Sequence, residues 1–469
     1  MPPARSRKSS APTRANTNGS TRASTGVSRS FGGLFALNPI AQNVRVPWPI
    51  PTSAAANAMG ILNLSWEKTV TLTLLVDLDN TLLGNEMETF LPAYLQGLGR
   101  SLAPFADPGK MVQALLNATQ KMIENDRPDR TLKEVFDAHF YPSLDLAYDT
   151  PQEALAHFYT HEFSHLRPLT QLRPAAVALI QTALQRGYHI AVATNPLFPA
   201  TAIHQRIAWA GLSPAEIPFE HITTYENAHF AKPNPAYYAE ILAHLGWPEE
   251  PVLMVGDDFE RDITPSIRLG IHSYWIHENG SSRGENAASP TASGPIETLI
   301  PWLNQTDLAG LHPSFNTPDA IIATLRAAPA ALATQLSGLP PAAWQQKNSL
   351  EDWSLNEIAC HMRDAEEHVN LPRLQQILRE ENPFLAGVDT DSWVETRKYC
   401  DQDGPTAFHD FITHRLQTLS LLDSLTEKDW LRPARHAIFG PTHFQEISHF
   451  MAEHDRLHIR QIRQLLQSK

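Results

Sequence analysis

Four polar residues sit where short apolar runs end or turn: Asp77, Thr194, Lys232 and Asp257. The first follows Leu74-Leu75-Val76 and opens Asp77-Leu78-Asp79-Asn80-Thr81, two carboxylates two residues apart at the end of a β-prone run. An ionised carboxylate after so apolar a strand must be paired, metal-bound or working. Ile190-Ala191-Val192-Ala193-Thr194-Asn195 is a second such run, ending in a hydroxyl. Ala231-Lys232-Pro233-Asn234-Pro235 sets a lysine in a turn, and Val252 to Val255 lead into Gly256-Asp257-Asp258 with Asp262 close behind. Phosphate esters repel nucleophiles, so cleaving them takes a positioned attacking group together with neutralising charge. Carboxylates, a hydroxyl and a lysine brought together would supply both.

In this order the segments Asp77-x-Asp79-x-Thr81, Thr194, Lys232 and Gly256-Asp257 with Asp262 resemble the four motifs of the haloacid dehalogenase-like (HAD) hydrolase superfamily, over about Leu72 to Leu303. The resemblance implies an α/β Rossmann-like core with a parallel sheet. It makes Asp77 the nucleophile that forms an aspartyl-phosphate. Asp79 would protonate the leaving alkoxide and then deprotonate water. Thr194, Asn195 and Lys232 would hold the phosphoryl oxygens. Asp77, Asp257 and the backbone carbonyl of Asp79 would form an all-oxygen Mg²⁺ site. Thr81, Asp258 and Asp262 would support it, the last two by orienting the lysine and metal-bound water. Dehalogenases of this superfamily lack a carboxylate at the Asp79 position, because halide departs unprotonated, so its presence points to a phosphatase.

Roughly 120 residues separate Asp77 from Thr194, far more than one βα unit needs. Helical patterning in Phe90–Leu98, Met111–Ile123 and Leu132–Phe140 fills the gap. In this superfamily such an insertion, about 86–166 here, is an α-helical cap over the site.

A stretch of different character follows a linker at 307–316. Periodic segments near Thr317–Leu336, Ser354–Arg379, Pro405–Leu425 and Thr442–Leu466 predict an all-α four-helix bundle over 317–469. Capping boxes are expected at Ser354-Leu355-Asn356-Glu357 and Thr442-His443-Phe444-Gln445. His454 and His458 share a helix face and continue the stripe of Ile447, Met451 and Ile462, while His361 continues that of Leu355 and Ile358. Three inward imidazoles could hold a transition metal with open positions. The surrounding Trp353 to His361 and Glu453 to His458 resemble the metal motifs of the DinB-like (YfiT-type) bundles, which implies a His361–His454–His458 triad binding Zn²⁺ or Ni²⁺. His368, seven residues after His361, is a candidate supporting group, and Cys360 reads as a buried apolar residue.

The chain has 469 residues, 42% hydrophobic, with a net charge of −13 and two cysteines. That suits about three units in a reducing compartment and gives no sign of an extended nucleic-acid surface, a membrane span or a disulfide framework. Residues 1–58 hold seven basic residues and no acid, leaving −20 on the remainder. The arm is expected to be disordered: either translation truly begins at Met59, the favoured reading, or the arm is an organellar transit peptide. A cytoplasmic location follows from the first alternative. The expected function is Mg²⁺-dependent hydrolysis of a small phosphorylated metabolite by residues 59–306, fused to a metal-binding bundle. Two alternatives treat the bundle as a metal- and thiol-dependent transferase, the principal activity, or as an interaction module that forms a homodimer. The linker is expected to be exposed, and 59–306 and 315–469 to fold independently.

Overall fold

The computed structural model describes residues 71–277, 289–349 and 352–467. The expectations for the basic arm 1–58, for Met59 and for the loop around 278–288 lie outside these residues. Among them no helix is long and apolar enough to cross a membrane.

Among the described residues, eight strands belong to the first half: β1 (Thr73–Val76), β2 (Leu83–Asn85), β3 (Thr170–Leu172), β4 (His189–Val192), β5 (His221–Ile222), β6 (Val252–Gly256), β7 (His272–Ile276) and β8 (Ala292–Gly294). Six form one sheet in the order β5-β4-β1-β6-β7-β8, every pair parallel. The Rossmann-like parallel core is therefore present. Central β1 is fully buried along its length, as expected for a parallel strand covered on both faces. Its register sets Val76 beside Val192 and Val255. The segments that follow these three strands leave the same edge of the sheet, where doubly wound folds place their sites.

Between β2 and β3, which pair antiparallel as a narrow neck, lies the helical cap. Its main helices are Met87–Leu102, Pro108–Ile123 and Leu132–Ser143. Thr131 and Glu134 form a full capping box. The cap is also tied to the core: Leu132 N donates to Ala228 O and Lys133 N to Tyr225 O, both at 2.8 Å, and Asn125 Nδ2 donates to His229 O at 2.8 Å.

The bundle helices are Pro318–Leu336, Leu355–Ala365 running through a π-turn into Leu371–Arg379, Gly404–Asp423 and Phe444–Gln467. Ser354 and Glu357 form the expected box. The second box does not form. Thr442 lies in a strand, Gln445 donates instead to Asn316 O, and His443 Nδ1 accepts from Glu446 N at 3.0 Å. Three short strands, β9 (Phe384–Leu385), β10 (Pro433–His436) and β11 (Gly440–His443), add a small sheet to the bundle. At the π-turn Glu366 points into the bundle. It receives both arms of Arg415 at 2.9 Å, and Asp455 takes Arg415 as well, so the buried guanidinium is fully paired.

The two expected halves share packing. The described residues fall within one compact unit. A single apolar core runs from Leu75, Ala191 and Met254 of the sheet through the Pro235–His244 helix to Ala320, Ala327 and Ala331 of the bundle. Pro235–His244 is buried along Ala236–Ala243, its one carboxylate, Glu240, being paired with His229. Its alanines let the Pro318–Leu336 helix approach closely. From the last helix, Arg463 donates to His244 O and Arg460 Nε to Trp247 O, so bundle side chains satisfy carbonyls at the C-terminal end of the Pro235–His244 helix. Most of the linker is exposed, as expected, but its apolar residues anchor it. Leu311 and Phe315 are buried, and Ser314 N donates to Gly270 O at 2.9 Å. Gly270 has φ +94°, and any Cβ there would collide with Ser314 O.

Candidate functional site

Asp77 continues β1, its N–H bonded to Val255 O at 2.9 Å. Lys232 Nζ lies 2.6 Å from Asp77 Oδ1 and 2.6 Å from Asp262 Oδ1, all three groups being buried. The lysine loop is held from both sides. Its N–H donates to Asn195 Oδ1 at 3.2 Å, and Asn234 caps the following helix through Ala236 N. That helix supplies two tyrosines: Tyr237 OH donates to Thr194 O at 2.7 Å and Tyr238 OH to Arg261 O at 2.7 Å. Thr194 O also accepts from Thr223 Oγ1 at 2.8 Å, which fixes the backbone. The Thr194 hydroxyl itself is buried without a partner among the described residues. Buried polar groups are normally paired, so an unmet hydroxyl marks a place for a ligand.

Asp257 accepts from Thr81 Oγ1 at 3.4 Å, and its backbone carbonyl accepts from Trp275 Nε1 at 2.9 Å. Gly256 is needed here because a Cβ would run into the Asp262 carboxylate. Asp77, Asp257 and Asp262 offer oxygens that lie within 4.8 Å of one another. Asp262, expected only to support, thus stands inside the carboxylate cluster and also orients Lys232. Asp258 does neither. Its side chain caps the next turn, accepting from Glu260 N and Arg261 N at 3.0 and 2.9 Å. The Asp79 carboxylate lies outside the cluster. Its Oδ1 accepts from Asn85 Nδ2 at 2.7 Å and is ion-paired with buried Arg206.

Electrostatics follow from three acids sharing one lysine. Burial pushes Asp77 well above the usual carboxylate range, against the pull of Lys232. Burial, with Asp262 and Asp258 alongside, brings Asp257 up to about 7. Asp262 is raised by burial too. Burial would lower Lys232, but Asp262 and Asp77 outweigh it and hold the ammonium charged. An all-oxygen donor set with excess negative charge fits a hard divalent cation such as Mg²⁺.

In the bundle, His361 Nε2 lies 2.9 Å from His454 Nε2, and His458 Nε2 lies 3.0 Å from the same atom. A neutral imidazole carries one N–H, so three nitrogens converging this closely are better satisfied by one cation than by shared protons. His458 Nδ1 is 2.8 Å from Gln461 Oε1, which turns the Nε2 lone pair towards the centre. Trp353 stacks on His458 with ring centroids 6.0 Å apart. Burial depresses all three histidines, His361 to about 3 and His458 to about 4. They are neutral at pH 7, as ligands must be. This donor set fits Zn²⁺ or Ni²⁺. His368 is not part of it: the π-turn rotates it to the surface beside Glu367 and Trp393. Cys360 is buried, and burial pushes its thiol up to about 11.

Sequence reasoning missed Arg206, whose one trace is a cation between Ile203 and Ile207 on a helix. It also missed the Glu366–Arg415–Asp455 cluster, although Asp455 stands between two of the metal-motif histidines.

Residues 71–270 match the family model for haloacid dehalogenase-like hydrolases, and residues 324–462 match that of the DinB superfamily. The chain is 35% identical over 65 residues to a haloacid dehalogenase-like hydrolase domain-containing protein 3 of Danio rerio, covering 14% of this chain and 27% of that protein. It is 27% identical over 141 residues to haloacetate dehalogenase H-2 of Moraxella sp. (strain B), covering 30% of this chain and 58% of that one. The matches thus span about a quarter and somewhat over half of these relatives' lengths. YfiT from Bacillus subtilis, described as a probable metal-dependent hydrolase with an unusual four-helix bundle topology, is a solved structure 19% identical, with a TM-score of 0.31. The match covers 33% of this chain and 89% of YfiT. The chain joins a HAD-like hydrolase domain to a DinB-like domain.

Proposed function

We propose that the hydrolase domain cleaves a small phosphate monoester, with Mg²⁺ held by Asp77, Asp257 and Asp262. The observation that carries this reading is the cluster of two buried carboxylates, Asp77 and Asp262, paired with one lysine, and the half-buried Asp257 beside them. Asp77 attacks phosphorus and becomes an aspartyl-phosphate, which water then hydrolyses. Lys232 opposes the burial that raises Asp77 and, with the unpaired Thr194 hydroxyl, steadies the phosphoryl oxygens. Asp79 gives its proton to the departing alkoxide and later takes one from water. The cation, when bound, neutralises charge on the transferring group.

A second reading is hydrolysis of a carbon–halogen bond. It is favoured by the engagement of Asp79 with Arg206 and Asn85, which turns the expected acid away from the carboxylate cluster. A relative named as a haloacetate dehalogenase agrees with it. The full chain assayed with p-nitrophenyl phosphate and with chloroacetate, each with Mg²⁺ and with chelator, separates the two. Phosphate released only with Mg²⁺ sustains the first reading. Chloride released regardless of chelator sustains the second. In the bundle, the triad is proposed as a Zn²⁺ or Ni²⁺ site.

A further inference from the structure

Arg206 is 1% exposed, on the Ala200–Trp209 helix beneath the cap. Its guanidinium lies between two aromatic rings, 5.6 Å from the centroid of Phe90 on the cap and 5.2 Å from that of Phe198 on the core. Such a slot holds the planar group in a fixed orientation. Arginine carries five N–H donors. Among the described residues one nitrogen, Nη2, has a hydrogen-bond acceptor, the Asp79 carboxylate, and Nε is buried with none. The other buried arginine, Arg415, shows what completion looks like: two carboxylates and a backbone carbonyl use Nε, Nη1 and Nη2. A desolvated cation left this incomplete is costly unless something else arrives to pair with it.

We propose that Arg206 is the carboxylate-binding residue of the hydrolase site, so that its substrate is a phosphate monoester carrying a carboxylate on the leaving group. The proposal rests on the phosphatase reading for the phosphoryl end and on Arg206 alone for the other end. A carboxylate suits the fork because guanidinium and carboxylate meet through two parallel hydrogen bonds. Asp79 is the chain's own carboxylate in that place, and at 27% exposure it lies on the open side of the pair, where an incoming anion can displace it. The exchange has a consequence for catalysis. Once the substrate's carboxylate takes the fork, Asp79 Oδ1 is released and can turn to the leaving oxygen two residues from Asp77. A substrate without that group leaves Asp79 tied to Arg206.

The test is binding of two inert probes to the full chain by calorimetry, 3-phosphonopropanoate and propylphosphonate, which differ in a carboxylate against a methyl group. Wild type should bind the first about 30- to 100-fold more tightly, as charge-assisted bidentate pairs allow. R206Q should erase the preference, and R206K, keeping charge without the fork, should restore a minor part of it. Equal affinities in wild type, or a preference unchanged in a folded R206Q, overturn the proposal and leave Arg206 a structural partner of Asp79. Turnover is scored separately with 2-carboxyethyl phosphate and propyl phosphate. If the binding preference holds while neither ester is hydrolysed with Mg²⁺, the phosphatase reading falls and the carboxylate subsite stands.

Discussion

The two buried polar sites of this chain solve opposite problems. In the hydrolase domain three carboxylates crowd one lysine, and burial raises the proton affinity of each acid. In the bundle three imidazoles crowd one another, and burial lowers theirs. Desolvation is the leading cause in both, acting against whichever form is charged. One site therefore needs a hard cation to keep its carboxylates ionised, whereas the other offers neutral lone pairs to a softer one. Their supports differ as well. The carboxylates hang from strand ends and loops fixed by Tyr237, Tyr238 and Asn195, while the histidines sit on two long helices locked by the Arg415 cluster.

The largest effect should come from the nucleophile. D77N should lower turnover of a phosphate ester by at least ~10⁴-fold while zinc or nickel content of the bundle stays at one ion per chain; turnover within tenfold of wild type would remove Asp77 from its role. Next comes the seam between the domains. Ending the chain at Thr306 strips the bundle from Pro235–His244 and leaves Ala236, Ala239 and Leu242 uncovered. Exposing a fully buried leucine costs about 1.5–3 kcal/mol and an alanine methyl about 0.8 kcal/mol, so the truncated protein should melt far below the full chain or aggregate. A soluble fragment with the full chain's melting temperature and activity would show that the hydrolase half closes its own core.

A smaller effect is expected at the histidines. H454A should abolish the bound transition metal, measured by elemental analysis, and lower the melting temperature of the metal-loaded form, with hydrolysis changed by less than about threefold. A hydrolysis loss like that of D77N would mean that the two sites work as one. The finest test uses pH on the metal-free chain. Asp257, raised in the fold to about 7, favours the folded state at low pH and loses that contribution as pH climbs from about 4 to 7. His361 and His458, lowered to about 3 and 4, contribute stability that is present above 6.5 and lost as pH falls towards 3–4. D257N should reduce the first slope and H458Q the second; a variant that leaves its slope untouched contradicts the assigned shift.

The hydrolase core was legible because parallel strands are short, uniformly apolar and end abruptly in polar residues, so Asp77, Thr194 and Asp257 announce their own positions. The His454–His458 pair was legible because helical spacing fixes which residues share a face. What could not be read were partners far apart in sequence. Nothing near Asp79 says that Arg206 will hold it, and nothing near Ala236 says which helix will cover it. The π-turn at Glu366–Asn370 adds a residue to the helical repeat, which is why counting seven from His361 misplaced His368. The second capping box failed for a local reason: β11 claims Thr442, and the helix starts two residues later than its pattern suggests.

The central claim, that Asp77 attacks phosphorus, is tested most directly by oxygen-18. A single turnover of a phosphate ester by excess full-length protein with Mg²⁺ in H₂¹⁸O is followed by mass spectrometry of the released phosphate and of the peptide bearing Asp77. Water attacking the phosphorus of an aspartyl-phosphate returns Asp77 with its own oxygens and sends the label into phosphate. The account predicts labelled phosphate, an unlabelled Asp77 peptide and, on rapid acid quench, a phosphorylated Asp77 peptide that direct attack by water would not give. Label on the Asp77 carboxylate would show water attacking its carboxyl carbon, the route for an ester formed by displacing halide, and would contradict the account.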